Sequence, residues 1–431
     1  MNFSDLFQHS NQLCKFSPNG RHVCSCSQCR VVIRDVATLQ IVAIFTCLDP
    51  VQYIEWASDS VHVMCGMFKR GMVQVWSIEN SEWFCKIDEG MAGVVACRWA
   101  PDARHILTMA DFQLRVTLWS LTTKTVSFIK NPKNLHTNMD FSGDGRIMAM
   151  VERRDCKDYV NIFDCSIWKL WRQFSVDTKD CKELRWSPNN QVICLWDSPL
   201  EYNILIYSID GQNLGSYSAY SNALGTKKVA WSPSSQFLAI GSYDEKVRII
   251  NHLTWKMIIE HKHPSTVTAK SAVVYVEVEK RLPRSQLVSE SKYEAQEPPI
   301  TLQVTKPDPD KPNPPIGIGV VLFSPDSRYL VTRSDNMPHA VWVWDMASIS
   351  LVALLVHANP VKVVEWDPKQ PRLAMCTGTN KLYMWSPAGC ISVVVPVDSP
   401  FKVNNIHWHP NGKVLVLLGK THYCLCTLDN E

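Results

Sequence analysis

Residues 24–29, Cys-Ser-Cys-Ser-Gln-Cys, contain the spacing Cys-x-x-Cys, which occurs in redox pairs and in zinc knuckles. A redox pair needs a helix N-terminus to lower the pKa of one thiol, but this segment lies between two strand-like runs. A zinc site needs a second pair of ligands, and none follows nearby at knuckle spacing. We therefore interpret these cysteines as structural and predict no metal site.

Two histidine pairs and one glycine pair have spacings that also occur in catalytic and cofactor sites. His407 with His409, and His261 with His263, would each share one side of a strand or lie in a loop. Neither pair has a third histidine or a carboxylate at ligand spacing. Residues 317–319, Gly-Ile-Gly, lack the third glycine and the helix of a dinucleotide loop, and no Walker loop or Gly-x-Ser-x-Gly occurs. We therefore predict no catalytic, cofactor or metal residues and a protein that is not an enzyme.

The charge distribution argues against nucleic acid as a partner. The 431 residues include 44 basic and 41 acidic ones, for a formal net charge of +3, without the basic stripe that neutralises phosphates. No run of 18 uncharged apolar residues is present, so we expect no membrane span. The N-terminal residues lack a secretory signal, and the 16 cysteines fit reduced, buried thiols. These features predict a soluble intracellular protein.

An aromatic residue followed by a small or polar residue, usually Pro, and a turn recurs along the chain. The aromatic residues of these motifs, here called anchors, are Phe16, Trp56, Trp99, Phe141, Trp186, Trp231, Phe323, Trp366 and Trp408. Seven of the eight intervals between them are 40–45 residues, the length of one four-stranded propeller blade, and the other is 92. A strand-like run follows each anchor at a similar offset, for example residues 73–77 and 247–251.

This repeat predicts an all-β fold, a WD-repeat β-propeller in which neighbouring sheets cover each other's faces and the anchors fill the space between them. Nine copies favour one large ring of about nine four-stranded blades over residues 1–431, with an eight-bladed ring as the alternative. The last copy stops after its third strand, at about Cys426. We expect residues 1–10 to supply its outer strand and close the ring.

Residues 263–315 interrupt the pattern. They hold nine of the 25 prolines together with mixed charges, so we expect a mostly disordered insertion between blades. Two strand-like runs within it, Val273 to Val278 and Ile300 to Val304, have the composition to pair at a sheet edge. The insertion is either a tolerated surface loop or a partner-binding, phosphorylatable arm.

Propeller topology places this insertion on the same face as the links between second and third strands. That face would collect a set of mostly basic residues that we predict to be partner-binding, for an acidic or helical partner. The set is Lys69, Arg70, Arg153, Arg154, Lys157, Tyr243, Lys246 and Arg333. The aromatic-Ser-Pro turns would lie on the opposite face.

Beyond the generic repeat, the chain resembles the eukaryotic WD-repeat protein eight family, centrosomal and spindle-pole proteins encoded in mammals antisense to a p53-family gene. The stretches that carry the resemblance are residues 13–18, 69–77 (KRGMVQVWS), 86–90, 152–160 (ERRDCKDYV), 230–243, 316–319 and 382–390. The resemblance implies a non-enzymatic scaffold or adaptor that, with a coiled-coil anchoring partner, tethers microtubule minus ends and supports spindle assembly, centriole and cilium functions. It further implies a minus-end-directed kinesin and γ-tubulin-associated proteins as partners. The implied location is the cytoplasm and cytoskeleton, at the centrosome, centriolar satellites and spindle pole.

Other uses of WD propellers remain open. A substrate receptor of a ubiquitin ligase often carries Trp-Asp-x-Arg at the end of a third strand, whereas Trp344-Asp345 is followed by Met346 and Ala347. A translation-factor-like propeller is suggested by the large ring, but the chain has no basic tail for ribosomal partners. An enzymatic propeller is the least supported alternative, because the sequence offers no site.

Overall fold

The alternation seen in the sequence builds the strands directly. In the third strand of the first repeat, Val31 and Ile33 are fully buried while Val32 between them is half-buried, because successive side chains of a strand point to opposite faces. The computed structural model describes residues 1–269, 271–281, 289–308, 314–396 and 401–428. Within these ranges the regular structure consists of 41 strands and three short 3₁₀ turns.

Nine sheets, numbered here 1 to 9 along the chain, each contain four antiparallel strands, which are consecutive in sequence in all but the last sheet. The sheets belong to two compact units. The five-sheet unit comprises Phe7–Ser198 and Asn203–Ser218, and the four-sheet unit comprises Met1–Leu6, Pro199–Tyr202 and Ala219–Glu431. The predicted all-β fold of nine four-stranded repeats is thereby confirmed, and the placement of all nine in one ring stays a prediction.

In the five-sheet unit each sheet keeps its strands in chain order. Sheet 1 is Cys14–Phe16, His22–Ser27, Arg30–Asp35 and Ile41–Thr46; sheet 2 is Tyr53–Trp56, His62–Met67, Met72–Ser77 and Phe84–Asp88; sheet 3 is Ala96–Trp99, His105–Met109, Arg115–Ser120 and Val126–Lys130. Sheet 4 is Met139–Phe141, Ile147–Arg154, Lys157–Asp164 and Lys169–Ser175, and sheet 5 is Cys181–Trp186, Val192–Asp197, Ile204–Ser208 and Asn213–Tyr217. The 3₁₀ turns are Phe68–Arg70, Gly90–Ala92 and Asp111–Gln113, and the short strand Phe7–Gln8 precedes sheet 1 in the chain.

The four-sheet unit has the same plan. Sheet 6 is Thr226–Trp231, Phe237–Ser242, Lys246–Asn251 and Met257–Lys262, and sheet 7 is Ile318–Phe323, Tyr329–Ser334, Ala340–Asp345 and Ser350–Val356. Sheet 8 is Val363–Trp366, Leu373–Cys376, Lys381–Ser386 and Gly389–Val394, and sheet 9 is Asn405–Trp408, Val414–Leu418, His422–Thr427 and Asn2–Phe3.

The fourth strand of sheet 9 comes from the N-terminal end of the chain. Asn2 lies opposite Thr427 and Phe3 opposite Cys426 in an antiparallel pair. Ser4 adds two bonds to Leu425, since its amide donates to the carbonyl and its hydroxyl accepts from the amide, each at 2.9 Å. The last repeat, which has three strands of its own, thus gains the outer strand that it lacks.

About half of the described residues of the insertion between sheets 6 and 7 lie in β-strands, so the expectation of a mostly disordered segment is wrong for them. Val273–Arg281 pairs in parallel with the outer strand of sheet 7, and Ser289–Gln296 pairs with Val273–Arg281 to make a six-stranded sheet. Thr266–Val267 pairs with Ile300–Thr301 as a separate two-stranded ribbon. Residues 282–288 and 309–313 lie outside the described residues.

Two physical reasons account for the ordered insertion. The edge strand Ser350–Val356 offers unpaired backbone groups, and a Pro-free run with alternating valines satisfies them. The acidic side chains have partners as well: Glu277 accepts hydrogen bonds from the Tyr383 hydroxyl at 2.8 Å and the Ala358 amide at 2.9 Å. The buried Lys381 ammonium lies 2.8 Å from Glu279. Local composition cannot reveal such distant partners.

One inter-sheet hydrogen bond recurs in both units. The indole N–H of an anchor tryptophan donates to the carbonyl of the residue just before the anchor of the preceding sheet, over 3.1–3.2 Å. The donor and acceptor pairs are Trp56 with Lys15, Trp99 with Glu55, Trp186 with Asp140, Trp366 with Leu322, and Trp408 with Glu365. All five indoles are buried, so each anchor joins neighbouring sheets by packing and by a directed bond.

Replacing Trp186 by Phe is expected to lower the free energy of unfolding by about 1–3 kcal/mol, because the ring still packs but the carbonyl of Asp140 loses its donor. Trp171→Phe is the matched control, since Trp171 is half-exposed on the outer strand of sheet 4. Urea unfolding followed by circular dichroism measures both variants. Equal losses in the two variants would contradict a structural role for the indole bond.

Candidate functional site

The ends of the strands define two sides of each unit. Because consecutive strands run antiparallel, the turn between the second and third strands lies at the same end of a sheet as the connection that leaves the fourth strand. We call this end the rim. The turns between first and second strands and between third and fourth strands lie at the opposite end. All eight residues predicted to bind partners lie at or near the rim end of their sheets.

Lys69 and Arg70 form the exposed tip of the 3₁₀ turn Phe68–Arg70, which ends at Gly71 with φ 67°. The Lys69 amide donates to Gln52 Oε1 at 2.9 Å, and Arg70 Nη1 donates to the Leu48 carbonyl at 3.3 Å. Neither cation has an ion pair with a carboxylate of the described chain. The backbone is therefore fixed while both charges face solvent.

Arg153 has a different environment from its neighbours. Its Nη1 lies 2.9 Å from the fully buried Asp158 carboxylate, and its Nη2 donates to the Lys179 carbonyl at 3.1 Å. Asp158 also lies 3.4 Å from Lys133 Nζ and accepts the Cys181 amide at 2.7 Å. Arg153 therefore braces sheet 4 against the connection to sheet 5, and it is poorly suited to reach a partner.

Arg154 and Lys157 are exposed in the same turn, and the Arg154 guanidinium lies 4.9 Å from the centre of the Tyr159 ring. An aromatic support of this kind orients the cation without neutralising it. These two residues, with Lys69 and Arg70, are the solvent-facing cations among the five predicted residues of the five-sheet unit.

The three predicted residues of the four-sheet unit have internal partners. The Tyr243 ring is nearly buried beneath Lys227 Nζ, 5.0 Å from its centre, and burial raises the pKa of its hydroxyl. Lys246 Nζ lies 2.7 Å from Glu260 Oε1. Arg333 donates to the Val361 carbonyl and pairs with Asp335 at 3.0 Å. The sequence pattern located these side chains at the rim end, but it could not show that the Lys246 and Arg333 cations are already paired and that the Tyr243 ring is nearly buried.

An apolar cluster on the rim was missed by the sequence analysis. Met91 is fully exposed, and Phe112 and Leu114 have 86% and 66% of their surface in solvent. They lie in the connection between sheets 2 and 3 and in the second-to-third-strand turn of sheet 3. Large apolar residues in turns, where polar residues are the rule, are the signal that was available in the sequence.

The backbone holds this cluster in a strained conformation. Phe112 and Gln113 have φ values of 57° and 55°, a left-handed region that costs a residue other than glycine about 1–3 kcal/mol. Gly71 and Gly93 approach each other so closely that a Cβ on Gly71 would lie 3.2 Å from the Cα of Gly93. The rim segments of sheets 2 and 3 are therefore in contact, which joins the apolar cluster to Lys69 and Arg70.

A cavity of about 530 Å³ opens beside Phe112. Val95 and Met109 form apolar parts of its wall, and Asn134 and His136 form the polar side. Burial lowers the pKa of the His136 imidazole, so the neutral ring is favoured near pH 7. The cavity is therefore an open recess of mixed lining beside the exposed Phe112 ring.

Series of buried side-chain hydrogen bonds fix the connections beneath the rim surface. Thr108 Oγ1 donates to Glu89 at 2.6 Å and accepts the Trp119 indole N–H at 2.8 Å. In sheet 7 the same geometry uses His263: Thr332 Oγ1 lies 2.7 Å from its Nε2 and accepts the Trp344 indole at 2.8 Å. His263 Nδ1 faces the Glu245 carbonyl at 3.1 Å, so the network assigns the proton to Nδ1. These groups are structural and are not arranged around a reacting centre.

The cysteines and the histidine pair whose spacing could suit a redox or metal site have structural surroundings. Cys24 and Cys26 are buried with their thiols reduced, and burial raises the pKa of the Cys26 thiol to about 12. His261 stacks on Trp344 with ring centres 4.1 Å apart.

Within the described residues no helix has the length and apolar character to span a membrane.

Asp158→Asn is expected to destabilise the protein by about 3 kcal/mol, because two cations would face a buried group that has lost its charge. Asp155→Asn is the isosteric control in the exposed part of the same turn, and it should cost less than about 0.5 kcal/mol. Urea denaturation at neutral pH compares the two variants. A loss below about 1 kcal/mol for Asp158→Asn would contradict the bracing role.

Acid is expected to destabilise the four-sheet unit through His263. Burial lowers the pKa of this imidazole to about 3, against about 6.5 in the unfolded chain. Between these values the unfolded chain binds a proton that the folded chain excludes, so stability is full above pH 6.5 and falls as the pH falls towards 3. His263→Gln should reduce this slope by up to about 1.4 kcal/mol per pH unit. Urea unfolding at pH 7, 6 and 5 gives the slopes, and an unchanged slope for His263→Gln would refute the assignment.

Comparisons with known proteins agree with the geometry. Residues 211–251 match the family described as WD domain, G-beta repeat. The chain is 52% identical to mouse WD repeat-containing protein WRAP73, over 100% of this chain and 96% of that protein. It is 23% identical to an uncharacterised WD repeat-containing protein of Schizosaccharomyces pombe, over 100% of this chain and 93% of that protein. The crystal structure of the C-terminal WD40 domain of Sif2 superposes with a TM-score of 0.55 at 11% identity, covering 99% of both chains, which supports the WD40 propeller fold.

Proposed function

We propose that this chain, which belongs to the family of WD repeat-containing protein WRAP73, is a non-enzymatic adaptor that tethers microtubule minus ends at the centrosome or spindle pole. A coiled-coil anchoring protein is its main partner in this proposal. A minus-end-directed kinesin and γ-tubulin-associated proteins are further partners, and spindle assembly, centriole and cilium functions depend on the assembly. The resemblance to the centrosomal WD-repeat family over the whole chain supports this role.

The observation that carries the proposal is the rim of the five-sheet unit. Met91, Phe112 and Leu114 are exposed to solvent on rim segments that contact each other, near Lys69 and Arg70, whose charges have no ion pair among the described residues. Large apolar side chains exposed together on neighbouring segments of a protein surface mark a site that binds another macromolecule. Aromatic and methionine side chains at the centre with charged residues around them are the usual composition of a protein interface.

The charge of the rim suits a coiled-coil partner. The outward positions of a coiled coil are rich in glutamate and lysine, and acidic stretches of such a surface would be drawn to Lys69, Arg70, Arg154 and Lys157. The apolar cluster then supplies the short-range contacts that slow dissociation. The WD-repeat scaffold brings to this task rigid sheets and loops that need little ordering on binding.

Reversing the four solvent-facing cations to glutamate is expected to lower the recovery of centrosomal coiled-coil proteins at least tenfold in affinity capture from dividing cells. The variant is Lys69→Glu, Arg70→Glu, Arg154→Glu and Lys157→Glu. Arg153 is left intact because its loss would remove an ion pair from the buried Asp158 carboxylate and destabilise the protein. Circular dichroism and the melting temperature should match the wild type.

A matched control carries the same charge change at the opposite ends of the strands: Arg21→Glu, Lys124→Glu, Lys169→Glu and Lys256→Glu, all exposed. Its recovery of centrosomal coiled-coil proteins and its localisation at spindle poles should equal those of the wild type. Unchanged capture by the rim variant would remove the rim from the proposal. Recovery of ligase subunits or ribosomes in place of centrosomal proteins would displace the function itself.

A further inference from the structure

The end of the strands opposite the rim carries a groove in the five-sheet unit. Two cavities, of about 700 and 420 Å³, adjoin there and share Asp102 and Arg104 in the first-to-second-strand turn of sheet 3. One cavity extends to Trp171 and Arg146 of sheet 4, and the other extends to Trp83 of sheet 2. The groove therefore crosses three consecutive sheets.

Aromatic side chains stand at the two ends of the groove. Trp171 keeps 53% of its surface in solvent, and Leu170 and Ile167 beside it are also half-exposed or more. Trp83 is partly exposed at the other end, where the His62 ring meets it edge-on with centres 4.8 Å apart. Trp is the residue type most enriched at sites that dominate binding energy, and here two of them frame one groove.

The carboxylates of the groove are already used as acceptors. Asp102 Oδ2 lies 2.5 Å from His105 Nδ1, and its Oδ1 accepts the amides of Arg104 and His105 at 2.9 and 3.1 Å. Asp59 pairs with His62 at 2.6 Å in the same way. Asp164 Oδ1 accepts the amide of Ser166 at 2.8 Å and its hydroxyl at 2.6 Å, which lowers the pKa of that carboxyl.

The guanidinium groups, in contrast, have open donors. Arg104 is exposed, and its side chain has no hydrogen bond or ion pair with the part of the chain that is described. Arg146 is 84% exposed and approaches Asp144 no closer than 3.9 Å. The two guanidinium groups therefore offer unused donors, in the planar arrangement that binds a carboxylate through two bonds.

We propose that this groove binds a short acidic segment of a partner protein, with carboxylates on Arg104 and Arg146 and a large apolar side chain over Trp83 or Trp171 at each end. The open donors of Arg104 and Arg146, beside carboxylates that already accept hydrogen bonds from the groove itself, and the two aromatic ends select this occupant over a basic or wholly apolar one. The site lies at the strand ends opposite the rim, so one five-sheet unit would hold two partners at once. The inference goes beyond the adaptor role and does not depend on the rim.

Selection of a displayed library of random dodecapeptides on the full chain tests the groove. The expected winners carry aspartate or glutamate flanked on both sides by Leu, Phe or Trp. Measured by fluorescence anisotropy as labelled synthetic peptides, they should bind Arg104→Glu and Trp171→Ser at least tenfold more weakly than the wild type. Raising the salt concentration should weaken binding to the wild type, because the guanidinium groups are exposed.

Arg21→Glu is the matched control, since Arg21 holds the position in the first turn of sheet 1 that Arg104 holds in sheet 3, outside the groove. It should bind the peptides as the wild type does, and so should the four-residue rim variant. Peptides that bind all variants equally, or a selection that enriches basic or uncharged sequences, would overturn the proposal. Either result leaves the capture experiment on the rim unaffected, so the two proposals fail separately.

Discussion

Each unit depends on one repeated interaction, the buried indole that packs between sheets and donates its N–H to the carbonyl before the preceding anchor. Five anchors make this bond at 3.1–3.2 Å. Packing alone would let neighbouring sheets slide, since apolar contact is not directional. The directed bond sets the spacing and register of adjacent inner strands, and at Phe141 and Phe323, which have no donor, only packing remains. The recurrence at blade length along the sequence reflects this geometric requirement.

The rim inherits its rigidity from these sheets and from polar groups placed just behind it. Asp158 forms ion pairs with Arg153 and Lys133. Hydrogen bonds that link Glu89, Thr108 and Trp119 fix the connection that carries Met91. Such buried polar groups would be costly if unpaired, so their value lies in fixing the loops as well as in stabilising the fold. Residues of one chemical type thus divide into two roles, with Arg153 as a brace and Arg154, the next residue, facing solvent.

Much of the fold was predictable, because anchors and alternating strands are local signals repeated nine times. The N-terminal outer strand was also predictable, since a three-stranded last repeat lacks a partner. The strands of the insertion were less accessible, because Glu277 and Lys381 are far apart in sequence and look like solvated charges until they are seen together. For the rim, Tyr243, Lys246 and Arg333 could be assigned to the correct end of their strands from the sequence. Their contacts within the protein could not be predicted in the same way. Phe112 was overlooked because a single apolar residue in a turn has no periodicity to reveal it.

The pairing of Asn2–Phe3 with His422–Thr427 has a consequence for biosynthesis. The bond between Ser4 and Leu425 joins residues 421 positions apart, so it forms only after nearly all of the intervening chain has been translated. Until then the third strand of sheet 9 has an unpaired edge. An unpaired edge can pair with a strand of another chain or be bound by a chaperone. Sheet 9 is therefore the last sheet to be completed during synthesis. A bulky fusion ahead of Asn2 would lie next to the strand pair that completes it.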